Sequence, residues 1–382
     1  MEQFFNLLFS DVYGFTMFIY LCLFALPSLI ARSSQPIAFY GTTKMNKINY
    51  FISFVVMSVG LVFADNGTDT GWYMNFFDNR VSFVDCEYGA VEIGFQYYNV
   101  LIHFITNDAV YFIIITRFIM MICVFGAIYF LRDKSLVWLS ILGFAAVVYF
   151  QMFSALRNGL AYSMGFLVYA YCVKNKYFLA IIFAILGISI HRSMIMFVAP
   201  LTLFLLAIKL APKTFAKVVV PVLLALIIVV YLYGIDIIQH FLMSDDVLMG
   251  KYDVYLDGES TQGVMIFFVY IPIIFIFLDY KYLKSLDLNM FYLNIFLSII
   301  GFAFALLAYQ IGQLARVAPY YSLPFLFYIG YYLQNTLRDR HLSLIKWKLF
   351  GVFISLYWFY RFMTFVSGLF FNNGLYDYKL FI

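Results

Sequence analysis

The sequence predicts an all-α membrane protein, built as a bundle of transmembrane helices. Of its 382 residues, 65% are hydrophobic and only 12% are charged, and its mean hydropathy is +0.91. A water-soluble globule cannot bury that much apolar surface. Apolar stretches of about 20 residues, the length that spans a hydrocarbon core of roughly 30 Å, recur along the whole chain.

Charges, turn residues and prolines set the limits of each predicted span. The predicted spans are 12–31, 49–64, 109–131, 135–154, 156–173, 177–190, 193–208, 215–234, 263–280, 289–309, 316–334 and 347–367. One helix over 177–208 would extend about 48 Å, which is too long for a single crossing. We therefore predict two short crossings that meet at His191, about 12 crossings in all, and one membrane domain over 1–382.

The distribution of charge favours this path. Loops on the cytoplasmic side carry an excess of Lys and Arg, and the broken path places sixteen of the 24 basic residues there with only four of the 20 acids. The acidic segment 65–92 and a second acidic loop, 235–262, then lie outside. One long helix over 177–208 would invert the later loops. His191, Arg192 and both termini are therefore expected at the outer face.

A polar pattern distinguishes residues 92–107 from a transmembrane span. Glu92, Gln96, Asn99 and His103 stand among apolar residues there, which is typical of a helix in the membrane interface. We predict an outer loop over 65–107 that contains this interfacial helix.

Several chemistries lack their usual sequence signals. No Cys and His cluster has metal-ligand spacing, no phosphate-binding glycine loop is present, and the chain has no sizeable soluble domain. We expect no metal and no cofactor. The net charge of +4 reflects the cytoplasmic loops, and we expect no nucleic-acid partner.

Arginines gather outside the cytoplasmic loops, where a planar guanidinium can bind a phosphate through two hydrogen bonds. They are Arg80, Arg117, Arg157, Arg192, Arg316 and Arg361. An arginine near a helix end often extends toward lipid head groups, as we expect for Arg80, whereas one inside a span is commonly functional or paired. This set favours an outer site for a lipid phosphate that carries a polar head group.

A histidine and several aromatic residues complete the candidates. His191 stands beside Arg192 in GISIHRSMIMF, residues 187–197; it is either a structural hydrogen-bonding group or part of a site. Trp72, Tyr73 and Tyr97 belong to the interfacial aromatic belt or serve as platforms for sugar rings.

Five ordered motifs resemble one family. They are GTDTGWYMNFF at 67–77, VEIGFQYYNVLI at 91–102, FSALRNGLA at 153–161, GISIHRSMIMFVAP at 187–200 and ARVAPYYSLPF at 315–325. In order and spacing they resemble the EpsG family of exopolysaccharide and O-antigen polymerases, the Wzy-type enzymes, over roughly 45–370. Each motif alone is weak, and the order gives the match its specificity.

The resemblance implies a GT-C-like membrane glycosyltransferase at the outer face of a bacterial cytoplasmic membrane. Such an enzyme moves a glycan from undecaprenyl diphosphate onto the non-reducing end of a lipid-linked repeat unit. Its partners would be the lipid-linked oligosaccharide, membrane lipid, a copolymerase that regulates chain length, and a flippase. The donor is a lipid, so no nucleotide is needed.

The required chemistry suggests a role for each residue. Arg157 and Arg316, with Arg192 as the third, would stabilise the leaving diphosphate, and we add Arg117 and Arg361 to this set. His191 would take the proton of the acceptor hydroxyl, since imidazole exchanges protons near neutral pH. Asp69 and Glu92 are alternative bases or hold sugar hydroxyls. A single displacement would invert the anomeric carbon without a metal.

Two other classes compete with this interpretation. A flippase for lipid-linked oligosaccharide would also need arginines, but such transporters commonly repeat an interrupted helix in both halves, and the break at His191 has no clear counterpart. A membrane acyltransferase also uses a buried histidine, but its thioester donor usually comes from the cytoplasm.

Overall fold

The computed structural model describes residues 1–34, 45–86, 91–210, 225, 269–310, 316–339, 344–372, 374–376 and 378–381. These residues form two compact units, one of residues 1–194 and 326–382 and one of residues 195–325. The predicted loop 235–262 and the predicted span 215–234, apart from residue 225, lie outside the described residues. The single domain over 1–382 stays a prediction.

The described elements are almost entirely helical, as predicted. In chain order they are α1 Glu2–Leu8, α2 Gly14–Ser34, α3 Lys47–Val62, α4 Thr70–Asp78, α5 Ile93–His103, α6 Ala109–Phe130, α7 Val137–Val147, α8 Leu156–Val173, α9 Tyr177–Ile190, α10 Ile195–Leu210, α11 Ile273–Leu278, α12 Tyr280–Leu286, α13 Leu288–Gln310, α14 Ala318–Arg338 and α15 Leu344–Asn372, with short 3-10 helices at Phe83–Asp85, Tyr149–Phe153 and Arg192–Met194. Helices α1 to α9 and α15 belong to the first unit and α10 to α13 to the second. The boundary between the units passes through α14 at residue 326.

Within the described residues, four helices are long and apolar enough to cross a membrane. These are Gly14–Ser34, Ala109–Phe130, Leu288–Ala308 and Lys348–Gly368, with mean hydropathies of 2.0, 2.3, 2.2 and 1.5. Four shorter apolar helices cover Lys47–Val62, Val137–Val147, Tyr177–Ile190 and Arg192–Ala207. The chain is thus a helical membrane protein, while the count of about 12 crossings and the GT-C-like architecture stay predictions.

The observed limits match several predicted ones closely. The predicted spans 156–173 and 177–190 coincide with α8 and α9. The predicted span 135–154 differs, because the α-helix ends at Val147 and continues as a 3-10 helix over Tyr149–Phe153. Between them Val148 has φ −124° and ψ −36°, which is outside the α-helical range. The span 263–280 is described only from residue 269.

The core of the first unit lies around α7 and α8. Every residue of α7 is buried, and α8 packs against both α6 and α9. Polar side chains on these helices bond to the preceding turn, as Ser163 does when its hydroxyl donates to the carbonyl of Gly159 at 2.7 Å. Such bonds leave the helix surface apolar toward its neighbours.

An antiparallel pairing holds the segment that leads into α4. Ala64 pairs with Leu380, the Asp65 N–H donates to the Lys379 carbonyl at 2.8 Å, and the Phe381 N–H donates to the Phe63 carbonyl at 2.9 Å. The Asn66 carboxamide oxygen accepts the Lys379 N–H at 3.1 Å. These bonds position the start of α4.

Helix α5 occupies the predicted interfacial segment. It buries Gln96 and Asn99 while Tyr97 and Leu101 are 44% and 54% exposed. An apolar exposed side is what a helix at a lipid interface presents. This pattern favours the predicted interfacial position, which stays a prediction.

In the second unit α10, α13 and the first residues of α14 pack together. The Tyr321 hydroxyl donates to the Met196 carbonyl, and the Phe197 ring stacks on Tyr320 with centroids 6.0 Å apart. On α13, Ser298 donates to the carbonyl of Asn294 at 2.6 Å. These contacts make the second unit a helical body of its own.

Candidate active site

Glu92 lies at the centre of a cluster of charged groups in the first unit. Its backbone precedes α5 in an extended conformation, with φ −60° and ψ 134°. Its Oε2 accepts from Arg157 Nη1 at 2.6 Å, and its Oε1 lies 3.0 Å from His191 Nδ1 and accepts the Arg192 N–H at 3.2 Å. We call Glu92, Arg157, His191 and Arg192 the Glu92 cluster. Three predicted site segments, far apart in sequence, therefore meet at one carboxylate.

The Glu92 carboxylate is ionised at neutral pH. Its burial opposes ionisation, but the hydrogen bond from His191 and the charge of Arg157 outweigh that effect and lower the pKa of Glu92 to about 2. An ionised carboxylate only accepts hydrogen bonds, so His191 Nδ1 carries the proton in their contact. The lone pair of the neutral ring is then on Nε2, which has no hydrogen-bond partner among the described residues.

This geometry favours His191 over Glu92 as the base. A carboxylate with a pKa of about 2 is a weak base, whereas an imidazole held by a carboxylate presents Nε2 in one tautomer and orientation. The side chains of His191 and Glu92 are 14% and 11% exposed. Both side chains are thus largely buried but retain some solvent exposure. Glu92 is best described as the residue that orients His191.

The helix break at His191 is present where the sequence predicts it. Helix α9 ends at Ile190, His191 is extended with φ −151° and ψ 115°, and a 3-10 helix begins at Arg192. The His191 N–H donates to the Gly187 carbonyl at 2.9 Å. At this break the side chain of His191 contacts Glu92.

Gly94 permits the close approach of α5 to α9. A Cβ on Gly94 would overlap the backbone oxygen of Ser189 and lie 2.5 Å from the Ser189 Cβ. Such distances are far below van der Waals contact. Gly94 was not among the residues predicted from the sequence. The available signal was a glycine two positions after Glu92. Contact between Glu92 and His191 depends on it.

Substituting Gly94 with alanine is expected to separate Glu92 from His191. The new methyl group cannot displace the Ser189 backbone cheaply, so α5 must move away from α9, at a cost of about 1–3 kcal/mol in stability. We expect a lower thermal midpoint of the purified protein and a large loss of its activity. Gly71→Ala is the matched control, since a Cβ there meets no described atom within 4 Å. Equal behaviour of both variants would contradict the role of Gly94.

The ion pairs of Glu92 are expected to make the stability of the fold depend on pH in the acidic range. The pKa of Glu92 is about 2 in the folded protein, against an ordinary value of 4.5, so its contribution is fully present above about pH 4.5 and is lost as the pH falls toward 2. Thermal unfolding of wild type and Glu92→Gln measures this. The difference between their midpoints should be constant near neutral pH and shrink below about pH 4.5. A difference that stays constant to pH 3 would refute the assignment.

Arg157 begins α8 and is held from several sides. Its backbone N–H donates to the Tyr73 hydroxyl oxygen at 3.4 Å, and its Cζ lies 5.7 Å from the Trp72 ring centroid and 5.9 Å from that of Phe95. Its Nε is buried and makes no hydrogen bond to any described atom. Glu92 accepts a hydrogen bond from only one guanidinium nitrogen, Nη1. Phe95 was not among the predicted site residues.

Arg192 carries the most accessible charge of the cluster. Its backbone N–H is bound to Glu92, while its side chain is exposed and makes no hydrogen bond or ion pair with the described part of the chain. The charge of Arg157 is paired with Glu92 and that of Arg192 is not. The cluster therefore has an excess of positive charge that can attract an anion.

Helix α4 brings further predicted residues beside Arg157. Tyr73 is buried, which raises the pKa of its phenol despite the nearby Arg157 charge, and Trp72 is 47% exposed. Asp69 is exposed just before α4, and Thr68 Oγ1 lies 3.5 Å from its Oδ1. Tyr97 instead packs edge-on against Phe83, with centroids 5.4 Å apart.

Arg117 is fully buried and bonds to the backbone. Its guanidinium donates to the carbonyls of Asn66 at 2.8 Å and Phe153 at 2.6 Å, and also to those of Leu61 and Ala64. It thereby joins the segment before α4 to the one before α8. These contacts favour a structural role over the predicted contact with diphosphate, which we do not propose.

Two other predicted arginines lie elsewhere. Arg361 is buried on α15 of the first unit. Arg316 is exposed and belongs to the second unit. Among the described residues no group of three or more His, Cys, Asp and Glu side chains lies close enough to hold a metal ion. Independence from metal stays a prediction, because a diphosphate can bring its own cation.

A comparison with protein families matches residues 47–380 to the EpsG family. The chain belongs to the EpsG family. This is a family of exopolysaccharide/O-antigen polymerase-like membrane proteins, so the predicted resemblance is confirmed and the membrane polysaccharide polymerase type of function applies to this chain. No curated protein and no solved structure matches the chain. The matched range contains the whole Glu92 cluster.

Proposed function

We propose that this EpsG family member transfers a glycan from undecaprenyl diphosphate to the non-reducing end of a lipid-linked repeat unit. The reaction takes place at the outer face of the bacterial cytoplasmic membrane. The observation that carries the proposal is the Glu92 carboxylate bound to both His191 and Arg157, at 3.0 and 2.6 Å. This arrangement pairs an oriented base with a cation, which glycosyl transfer from a diphosphate requires.

His191 acts as the general base. The acceptor hydroxyl oxygen attacks the anomeric carbon, the bond from that carbon to the diphosphate oxygen breaks, and Nε2 of His191 takes the hydroxyl proton. The negative charge of Glu92 stabilises the imidazolium that results. One displacement of this kind inverts the configuration at the anomeric carbon.

Arg157 and Arg192 stabilise the leaving diphosphate. The departing group takes the bonding electron pair and gains negative charge, so fixed cations bind the transition state more tightly than the substrate. Arg157 keeps Nη1 on Glu92 and has a further nitrogen for the anion, and Arg192 supplies an exposed charge that no described side chain pairs. The contact of Arg316 with the diphosphate stays a prediction from the sequence. No metal is part of this mechanism.

The test uses purified full-length protein and its lipid-linked repeat unit, without metal or nucleotide. Wild type should convert the repeat unit into a ladder of longer lipid-linked chains. The same protein in sealed vesicles should leave the substrate on its original side. Transport across the vesicle membrane without a ladder would contradict the proposal and support a flippase.

The outer location of the site has its own test. In a cysteine-free background, Arg192→Cys should react with a membrane-impermeant maleimide added outside intact cells. Lys176→Cys, at an exposed position on the predicted inner side, is the control and should react only after permeabilisation. The reverse pattern would place the Glu92 cluster on the cytoplasmic side and refute the proposed location.

A further inference from the structure

Two aromatic rings lie beside the guanidinium of Arg157, and a third aromatic side chain contacts its backbone. The Trp72 and Phe95 ring centroids lie 5.7 and 5.9 Å from its Cζ. Tyr73 meets Trp72 edge-on at 5.0 Å and Phe95 edge-on at 6.0 Å, and its hydroxyl accepts the Arg157 N–H at 3.4 Å. We call Trp72, Tyr73 and Phe95 the aromatic box.

The box compensates for the single ion pair of Arg157. Glu92 bonds to Nη1 alone, and the buried Nε has no described partner. A guanidinium whose carboxylate partner bonds to one nitrogen can pivot about that bond, whereas a bidentate pair has a fixed geometry. Rings that face a cation attract it and limit this motion. The orientation of Arg157 therefore depends on its aromatic neighbours.

The ring contacts of Trp72 associate it with Arg157 and Phe76. The Phe76 ring stacks on the indole at 5.1 Å with an interplanar angle of 19°, and the Arg157 guanidinium also lies against it. A sugar ring needs an uncovered aromatic face. Here the groups that lie against the indole are Phe76 and Arg157 of the chain itself.

We infer that Trp72, with Phe95, is a positioning residue that holds the Arg157 guanidinium in place for a diphosphate, and that it acts through Arg157 and not by stacking on sugar. The inference rests on the proposed function of Arg157. It assigns α4 to the side of the site that binds the donor diphosphate.

The first measurement tests the contact independently of any ligand. Thermal unfolding of the purified full chain is compared for wild type, Trp72→Leu, Arg157→Lys and the double variant. We expect coupling, so the double variant should lose clearly less than the sum of the single losses. Phe83→Leu is the control for an exposed aromatic residue without a described contact to Arg157, and it should be additive with Arg157→Lys. Additive losses for Trp72 would overturn the inference.

The second measurement uses farnesyl diphosphate as the probe and follows its dissociation constant. Trp72→Leu should weaken binding about three- to tenfold, Trp72→Phe should stay within about twofold, and Trp72→Leu should have no further effect in Arg157→Lys. If Arg157→Lys weakens binding but Trp72→Leu does not, the inference is wrong and the proposed function stands. If Arg157→Lys binds as wild type does, the proposed diphosphate site itself is wrong.

Discussion

His191→Ala is expected to slow the formation of lipid-linked polymer by about 10²- to 10⁴-fold, the usual contribution of a general base. The imidazole is the group whose second nitrogen, Nε2, has no hydrogen-bond partner in the described part of the chain, and alanine leaves no base in its place. The rate is measured with purified protein and lipid-linked repeat unit. The binding of substrate should change much less than the rate, because the proton moves only in the transition state.

His103 offers a matched control for His191. It lies on α5, in the same predicted outer segment, where its ring stacks on Phe77 at 3.8 Å and its Nε2 lies 2.9 Å from the Phe77 carbonyl. His103→Gln retains a polar group for that contact and should keep activity within a fewfold of wild type. A His191→Ala protein that is folded and keeps more than a tenth of wild-type activity would exclude His191 as the base.

Arg157→Ala is expected to reduce the rate by about 10²- to 10³-fold, as the loss of a fixed charge or donor at a developing anion does. It should also destabilise the protein, because Glu92, 11% exposed, loses its closest charged partner. Arg157→Lys retains the charge but cannot present a planar fork, so we expect a smaller loss of about tenfold. The rate and the thermal midpoint of each variant separate the two effects.

Arg32 provides the comparison for Arg157. Its Cζ lies 5.7 Å from the Trp138 ring centroid, the same distance that separates Arg157 from Trp72, but we predict that it faces the cytoplasm. Arg32→Ala therefore removes an equivalent cation from an indole without touching the Glu92 cluster, and should change the rate less than about twofold. Equal losses for Arg32→Ala and Arg157→Ala would show that the effect is not specific to the site.

Local patterns predicted much of the architecture. The spans 156–173 and 177–190 correspond to α8 and α9 residue for residue, because the length of an apolar run and the polar residues that bound it are properties of neighbouring positions. The break at His191 was predicted from the length of the apolar run 177–208 and from the alternation of basic and acidic loops along the chain. Both are read directly from the order of the residues. The 3-10 helix over Tyr149–Phe153 was not predicted, since its formation depends on how this segment packs against other helices.

The candidate residues were identified by type, while their roles depended on contacts. Arg117 and Arg157 look alike in sequence, yet one bonds to buried carbonyls and the other to Glu92. The sequence leaves Trp72 open as an interfacial belt residue or a sugar platform, and the structure places Arg157 and Phe76 beside its ring. The residues that neighbour Arg117, Arg157 and Trp72 in sequence do not indicate which of these contacts each side chain makes.

By itself the sequence determined that this is a helical membrane protein of the EpsG family, with a break and a group of candidate cations on its predicted outer side. Only the tertiary structure decided that Glu92 joins Arg157 to His191, 65 and 99 residues away, and that Gly94 makes the approach possible. Hydropathy and charge are summed along neighbouring residues, whereas a contact depends on how helices rotate and pack against one another.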